Sequence, residues 1–468
     1  MVKRGAGLAR SFQDFTVHKL VGGLEPDTEY HYRFFTDRSE SRVGRFRTAP
    51  PPDSMRPVTI AFFSCQKYHK GYYNIHSYLA GRDDIDLVLC LGDYIYEEPD
   101  EPDVRDDNTG INRDGDVQTL DEYRQKWRFY QSDPDLQDMH ANHAFVGVWD
   151  DHEIEDNWAG DDPSPRVGTK KGDQAAGKYP IRRVTWRKRL FNGRKAFFEA
   201  QPRKRRRNDA HRIYESARLG LVDLFALDTR QYRDQQPCGD ETFVPCPEAR
   251  EPGRTLLGER QKSWLKSGLS RSEATWRLLG NQVMMMGLEG APGFTLNVDA
   301  WDGYAAERNE MVDHIIGSGS SGAPEIRNVV SLVGDIHTFF AGSITDTGNA
   351  TGRTGAVELV GGSVTSPGVE ERFDGTLTPN QTQLLVENLE TTSPHITYAN
   401  FIRRGCAIVT CKPDELLCEF RASETIAERN PASETLARFR VPAGAPEVHA
   451  KGGSAGLGDA LFFGHGFN

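Results

Sequence analysis

Six clusters of reactive side chains stand at similar places along the chain, each directly after a short apolar run. They are Ser64-Cys65-Gln66, Gly92-Asp93-Tyr94-Ile95-Tyr96-Glu97-Glu98, Asp150-Asp151-His152-Glu153, Asp228-Thr229-Arg230, Gly280-Asn281-Gln282 and Gly334-Asp335-Ile336-His337. Taken singly each is ordinary. A Gly-Asp pair after a strand is most often a turn, and a lone cysteine there is usually a packing residue. Together, in order, they describe a metal centre, because ligand groups collect at the carboxyl ends of strands in α/β sheets. The chemistry such a centre suits is attack on a phosphate ester. Two adjacent cations can hold the phosphoryl oxygens, lower the pKa of a water between them and stabilise an in-line transition state. That needs one carboxylate able to bridge and separate terminal ligands for each ion. Asp93 is the candidate bridge, with Gly92 allowing close backbone approach. Tyr96 offers a phenolate and Cys65 a thiolate to one ion, a pairing that suits ferric iron or another transition metal better than magnesium. Asp151 and Asp335 offer oxygens to a second, harder cation such as calcium. His152 follows a ligand and titrates near neutrality, so it can protonate a leaving oxygen. The alternative for His152 is a histidine hydrogen-bonded in its loop. Arg230 carries a planar fork suited to phosphate, or else a salt bridge to a neighbouring carboxylate.

The elements that must position these residues are legible as apolar runs. VTIAFFS, DLVLCLG, AFVGVWD, LVDLFALD, RLLGNQVMMM, NVVSLVGD and AVELVGG read as buried strands. Amphipathic stretches lie between them, among them DEYRQKWRFY, PIRRVTWRKRLFNGRKAFFEA, GERQKSWLKSGL and YAAERNEMVDHIIG. That alternation predicts an α/β layer fold. GCAIVTC and ELLCEFRA, joined by KPDE, predict a late hairpin. Residues 1–50 differ. FTVHKLVGGL, EYHYRFF and VGRFRTA alternate like the last strands of a small β-sandwich, closed by the linker APPPDS. The division expected is 1–50 for this partial sandwich, 51–445 for a catalytic domain and 446–468 for a loose Gly-rich tail.

With 468 residues, 37% hydrophobic and 10% aromatic, the chain can build a large core. Its formal charge of -11 argues against a general nucleic-acid-coating role. No run approaches the length of a membrane-spanning helix, and MVKRGAGLARSFQDF lacks the apolar core of a signal peptide. Cys238 and Cys246 bracket a turn-rich loop, for which a local disulfide is the leading reading over two free thiols; a disulfide would indicate an oxidising compartment. Cys90, Cys406, Cys411 and Cys418 sit in apolar runs and read as packing residues, as do Met284 to Met286. The run Pro202 to Arg207 reads as a solvated cationic surface, with attraction of polyanionic substrates as the functional alternative. The polar segments 100–118 and 160–180 are expected to cover the site.

FFSCQ, GDYIYEE, WDDHEIEDNWAG, LDTRQYR, LLGNQ and GDIHTFFAG together resemble the PhoD-like alkaline phosphatase/phosphodiesterase family, within the calcineurin-like metallophosphatases. The resemblance runs from about residue 20 to about residue 445. It implies a four-layer α/β/β/α catalytic domain preceded by a fibronectin type III-like sandwich, and hydrolysis of phosphomonoesters and phosphodiesters at alkaline pH. By that likeness Cys65, Asp93, Tyr96 and His337 hold ferric iron, and Asp93, Asp151 and Asp335 hold calcium. His152 protonates the leaving group, Arg230 grips the phosphate, and Asn281 contacts substrate or metal. The family normally carries more amino-terminal strands and an export signal. Extracytoplasmic localisation is therefore expected from the family, with an internal start or a short cytoplasmic form as the alternatives. The partner implied is a phosphate ester; the oligomeric state is not readable. A rival reading is a catalytically inactive secreted binding protein that keeps the fold, and a third is a nucleic-acid-binding module built on Pro202 to Arg207.

Overall fold

The structure is a computed structural model. It describes residues 2–99, 103–165, 182–291, 294–317, 324–369 and 378–451. Its body is a pair of seven-stranded sheets. In the first, Val58–Phe63, Leu87–Leu91 and Phe145–Val148 run parallel. Gly405–Cys411 pairs antiparallel with Val58–Phe63, and Glu415–Ser423 and Ser433–Pro442 continue outward. In the second, Val222–Ala226, Trp276–Asn281, Val329–Val333 and Thr354–Gly361 are parallel neighbours. Antiparallel strands flank them: Glu215–Leu219 on one side, Phe339–Thr345 and Ile396–Asn400 on the other. All seven apolar runs are thus strands, and the expected hairpin pairs Cys411 with Leu416.

Side-chain alternation shows how the layers stack. Leu278, Val330 and Leu332 point into one buried cluster, shared with Leu89, Leu91 and Phe62 of the other sheet. Leu279, Val329 and Val333 point the opposite way, onto a second cluster with Leu265, Leu269, Met311 and Val312 of helices Gly258–Arg271 and Ala305–Ile316. The first sheet is covered by Asn74–Ala80, Leu120–Tyr130, Pro134–Asn142 and Trp186–Ala200. Leu120–Tyr130 starts cleanly because Thr119 and Glu122 close a capping box over its free N–H groups. Trp276 Nε1 donates to Lys412 O at 2.7 Å and stitches the two sheets. The expected four-layer α/β/β/α order is the order found.

Met284 to Met286 are buried packing residues as expected, and their backbone turns back on the Glu358 carboxylate, which accepts from Met285 N and Met286 N. Cys90, Cys406, Cys411 and Cys418 are buried thiols, and Cys238 and Cys246 form a disulfide.

Two expectations change, at FTVHKLVGGL and at the basic run, while the tail and the expected covers are described only in part. Among the described residues, the amino-terminal piece contributes one antiparallel pair, Glu29–Tyr32 with Gly44–Arg47. FTVHKLVGGL alternates like a strand but forms no ladder among the described residues and runs as coil after a short turn at Ser11–Gln13. This piece is held to the body by Arg128–Asp14, Arg42–Asp138 and His18 Nε2 to Glu199 O. The tail after Pro446 adds a two-residue edge strand, His449–Ala450, before the described residues end. The basic run is only partly a solvated surface. Arg203 is buried and donates to Gly147 O at 2.6 Å and to Ile213 O, while Lys204 to Arg207 are exposed. Of the two expected covers, 166–181 and 100–102 lie outside the described residues. The rest of the first is a packed loop, anchored by Arg105 to Asp133, Lys126 to Asp107 and Val117 N to Glu97 O.

Candidate metal centre

Parallel strands deliver their clusters to one end of the sandwich. Cys65, Asp93 and Asp151 leave the first sheet together, and Asn281, Asp335 and His337 leave the second. The loops abut at two glycines. Gly92 has φ +106°, and a Cβ there would stand 2.4 Å from Asp150 Cβ; one on Gly334 would stand 2.3 Å from Ser64 Oγ. Any larger residue would force the strand ends apart.

The backbone is bent to aim the ligands. Cys65 (φ 58°), Asp93 (φ 53°), Asp335 (φ 61°) and His337 (φ 56°) all occupy the left-handed region. Each such residue costs about 1–3 kcal/mol and persists only where its surroundings dictate it. Four of them at one place mark a site whose geometry is held against local preference.

The side chains form two groups that meet at Asp93. Cys65, Asp93 and His337 bring ligand atoms within 4.8 Å of one another, and so do Asp93, Asp151 and His152. Asp93 divides its carboxylate between them. Oδ2 accepts from Cys65 Sγ at 3.4 Å and lies 3.3 Å from Tyr96 OH. Oδ1 accepts from the backbone N–H of His152 at 3.4 Å. Tyr96 OH is also 3.3 Å from His337 Nε2 and accepts from Ser366 Oγ at 2.7 Å. His337 Nδ1 donates to Pro367 O at 2.6 Å, which leaves Nε2 as the free lone pair.

The sequence matches the PhoD-like phosphatase profile over residues 60–420, and the profile of the PhoD-like phosphatase N-terminal domain over residues 1–50. The chain belongs to the PhoD-like phosphatase family. Alkaline phosphatase D of Bacillus subtilis (strain 168) is 33% identical over 449 residues, spanning 94% of this chain and 72% of the relative. A solved structure of PhoD superposes with a TM-score of 0.78 at 30% identity, over 96% of this chain and 82% of the other. As a member of the PhoD-like phosphatases the chain is a phosphoester hydrolase.

The donors of this PhoD-like site fit metal ions. Burial and then the Asp93 carboxylate push the Cys65 thiol well up, and burial and then Cys65 do the same to the Tyr96 phenol. Burial and then Asp151 raise Asp93, with His152 opposing. Burial takes His337 down to about 3, so its imidazole is neutral and ready to ligate. Thiol, phenol and crowded carboxylates are costly to ionise here, and a cation reverses that order by replacing the protons.

His152 belongs to the second group as well as being the expected proton donor. Its Nδ1 lies 2.8 Å from Glu97 Oε2, and its ring stacks on Tyr96 with centroids 4.1 Å apart. Burial opposes its charge, but Asp151, Glu97 and Asp93 hold its pKa well above the usual value.

The other expected residues are near but differently engaged. The Asp335 carboxylate lies in neither group; its carbonyl faces Cys65 Sγ at 3.9 Å, and desolvation, Asp150 and Asp299 raise its pKa. Arg230 is fully buried. Its Nε donates to Asp150 Oδ1 at 2.6 Å and its terminal nitrogens to Asp299 at 2.8 and 2.7 Å, with Asp151 3.8 Å away. That is the salt-bridged arrangement. Asn281 is equally buried, between Ser331 Oγ and Trp301 Nε1, each 3.4 Å away.

Three residues that hold the site were not singled out from sequence. Glu97 orients His152. Glu153, fully buried, accepts from Asp93 N at 3.2 Å, Tyr94 N at 2.7 Å and Asp150 N at 2.9 Å, clamping two ligand loops. Asp299 holds Arg230 and Arg233. Glu97 and Glu153 stand inside clusters already read, where their acidic neighbours obscure them. Asp299 follows TLNV, a run with no strand-end cluster to draw attention.

Proposed function

We propose that the chain hydrolyses phosphomonoesters and phosphodiesters at alkaline pH with two metal ions that share Asp93. Cys65, Tyr96 and His337 would hold ferric iron, and Asp151 with oxygens that include Asp335 would hold calcium. The observation that carries this is the divided Asp93 carboxylate, one oxygen toward each ligand group. When bound, such a pair neutralises phosphoryl charge and lowers the pKa of a water. The chain's own residues do the rest. Glu97 takes the Nδ1 proton of His152 in a hydrogen bond and Tyr96 fixes the ring plane, so Nε2 holds the proton destined for the leaving oxygen. Arg230 draws Asp150 and Asp299 together behind Asp151. Asn281 is the proposed contact to substrate or metal from the second sheet. The strained ligand loops and the Glu153 clamp hold these groups before substrate arrives, which lowers the reorganisation the reaction would otherwise require.

The catalytic unit proposed is 51–445, with 1–50 as its appendage. The Cys238–Cys246 disulfide supports an extracytoplasmic location, since such bonds persist in oxidising compartments. Among the described residues no helix is long and apolar enough to cross a membrane.

The test is hydrolysis of p-nitrophenyl phosphate and bis-p-nitrophenyl phosphate, with and without chelator, alongside elemental analysis. Turnover of both esters, lost on chelation, in protein containing iron and calcium is the expected result. Metal-replete protein inactive on both would favour the binding-protein reading.

A further inference from the structure

A loop far along the chain reaches the Asp151 side of the centre. Pro237–Asp240 is a tight turn in which Cys238 (φ 55°), Gly239 (φ 69°) and Asp240 (φ 59°) are consecutively left-handed. Runs of that backbone are costly for residues other than glycine. Here they are over-determined. Cys238 is bonded to Cys246, and its N–H donates to Glu248 Oε2 at 2.9 Å. Cys246 is buried against Ala249 and Val298. The next strand, Thr242–Pro245, pairs with Phe294–Asn297, which leads directly to Asp299.

The turn aims one buried carboxylate at the centre. Asp240 Oδ2 accepts from Asn157 Nδ2 at 2.8 Å, and Gln236 Nε2 donates to Asn157 O at 2.9 Å. Asn157 is itself left-handed (φ 52°), and its N–H donates to Asp151 Oδ2 at 2.7 Å. Gln236 Nε2 also donates to Asp299 Oδ1 at 2.7 Å, the partner of Arg230. One stapled turn therefore grips Asn157 from two sides, and Asn157 N–H orients the Asp151 carboxylate through Oδ2, while His152 N–H meets Oδ1 at 3.1 Å.

We infer that the Cys238–Cys246 loop is a brace for metal binding at Asp151, with Asp240 and Asn157 as positioning residues and the disulfide as the element that keeps the turn closed. The inference rests on the two-ion reading above. Loss of such outer partners typically weakens metal affinity about 10- to 100-fold.

The test titrates chelator-treated protein with calcium by calorimetry, measuring iron content and visible absorption on the same samples. Asp240→Ala should weaken calcium binding about tenfold or more, and the Cys238→Ser/Cys246→Ser double variant should follow it. Asp240→Asn keeps an acceptor for Asn157 and should stay within about threefold of the unaltered protein. Iron content and absorption should be unchanged in all three. Full calcium affinity in Asp240→Ala overturns the brace while leaving the two-ion reading intact. Equal loss in Asp240→Asn and Asp240→Ala, with iron lost as well, shows a loop that supports folding only and also overturns it. Unaltered protein that takes up no calcium removes the two-ion reading and the brace with it.

Discussion

The two sides of Asp93 are built by different means. On the Cys65 side the ligands touch one another. Cys65 Sγ and Tyr96 OH reach Asp93 Oδ2 at 3.4 and 3.3 Å, and His337 Nε2 lies 3.3 Å from Tyr96 OH. Their precision comes from left-handed backbone at Cys65, Asp93 and His337. On the Asp151 side the ligands are set by partners outside the group: Asn157 for Asp151, Glu97 for His152, and Arg230 behind both through Asp150. Burial works against the Asp151 charge, yet Arg230, His152 and the Asn157 N–H hold its pKa below the ordinary carboxylate range. The first side is a cage of donors in mutual contact, with Ser366 and Pro367 O behind Tyr96 and His337. The second is a charged arm supported by a scaffold. A cage suits an ion that stays, and a supported arm suits one whose affinity can be tuned through its supports.

Substitutions should separate the two sides. The largest effect belongs to the residue they share. Asp93→Ala should lose both ions by elemental analysis and lower turnover of both nitrophenyl esters about 10³-fold or more; retention of either metal in full would disprove the sharing. His152→Ala should keep the Cys65-side ion and lower kcat about 10²- to 10⁴-fold. The loss should be smaller for nitrophenolate than for an alkoxide leaving group, because the better leaving group has less need of a proton. Glu97→Gln should reproduce a part of that loss. A leaving-group dependence unchanged in His152→Ala would place the proton elsewhere. The smallest effect on rate is expected at Tyr96. The iron-replete protein should be violet through phenolate-to-iron charge transfer, and Tyr96→Phe should bleach that band while retaining most of the iron. A colourless native protein with iron confirmed would remove Tyr96 from the iron's coordination shell.

The strands and the order of the clusters were legible because both depend on local pattern. Seven apolar runs became seven strands, and each cluster came out at a strand end. Partnership was not legible. Arg230 after a strand looks the same in sequence whether it faces phosphate or, as here, Asp150 and Asp299. FTVHKLVGGL has the alternation of a strand, but alternation does not reveal whether a neighbouring strand exists. Arg203 sits in a run of identical charges, and only the fold distinguishes the one that is buried. Cys238 and Cys246 were readable as a pair, while the contact from their turn to Asn157 spans 83 residues and left no trace in spacing.

The left-handed backbone at Cys65, Asp93, Asp335 and His337 also restricts how this chain can change over time. Valine, isoleucine and threonine branch at Cβ and clash with their own main chain in that region. Single-step replacements that would be harmless on an ordinary loop are closed at these positions before any loss of ligation is considered. The neighbourhood of workable sequences around the site is narrowed by stereochemistry first and by catalysis second.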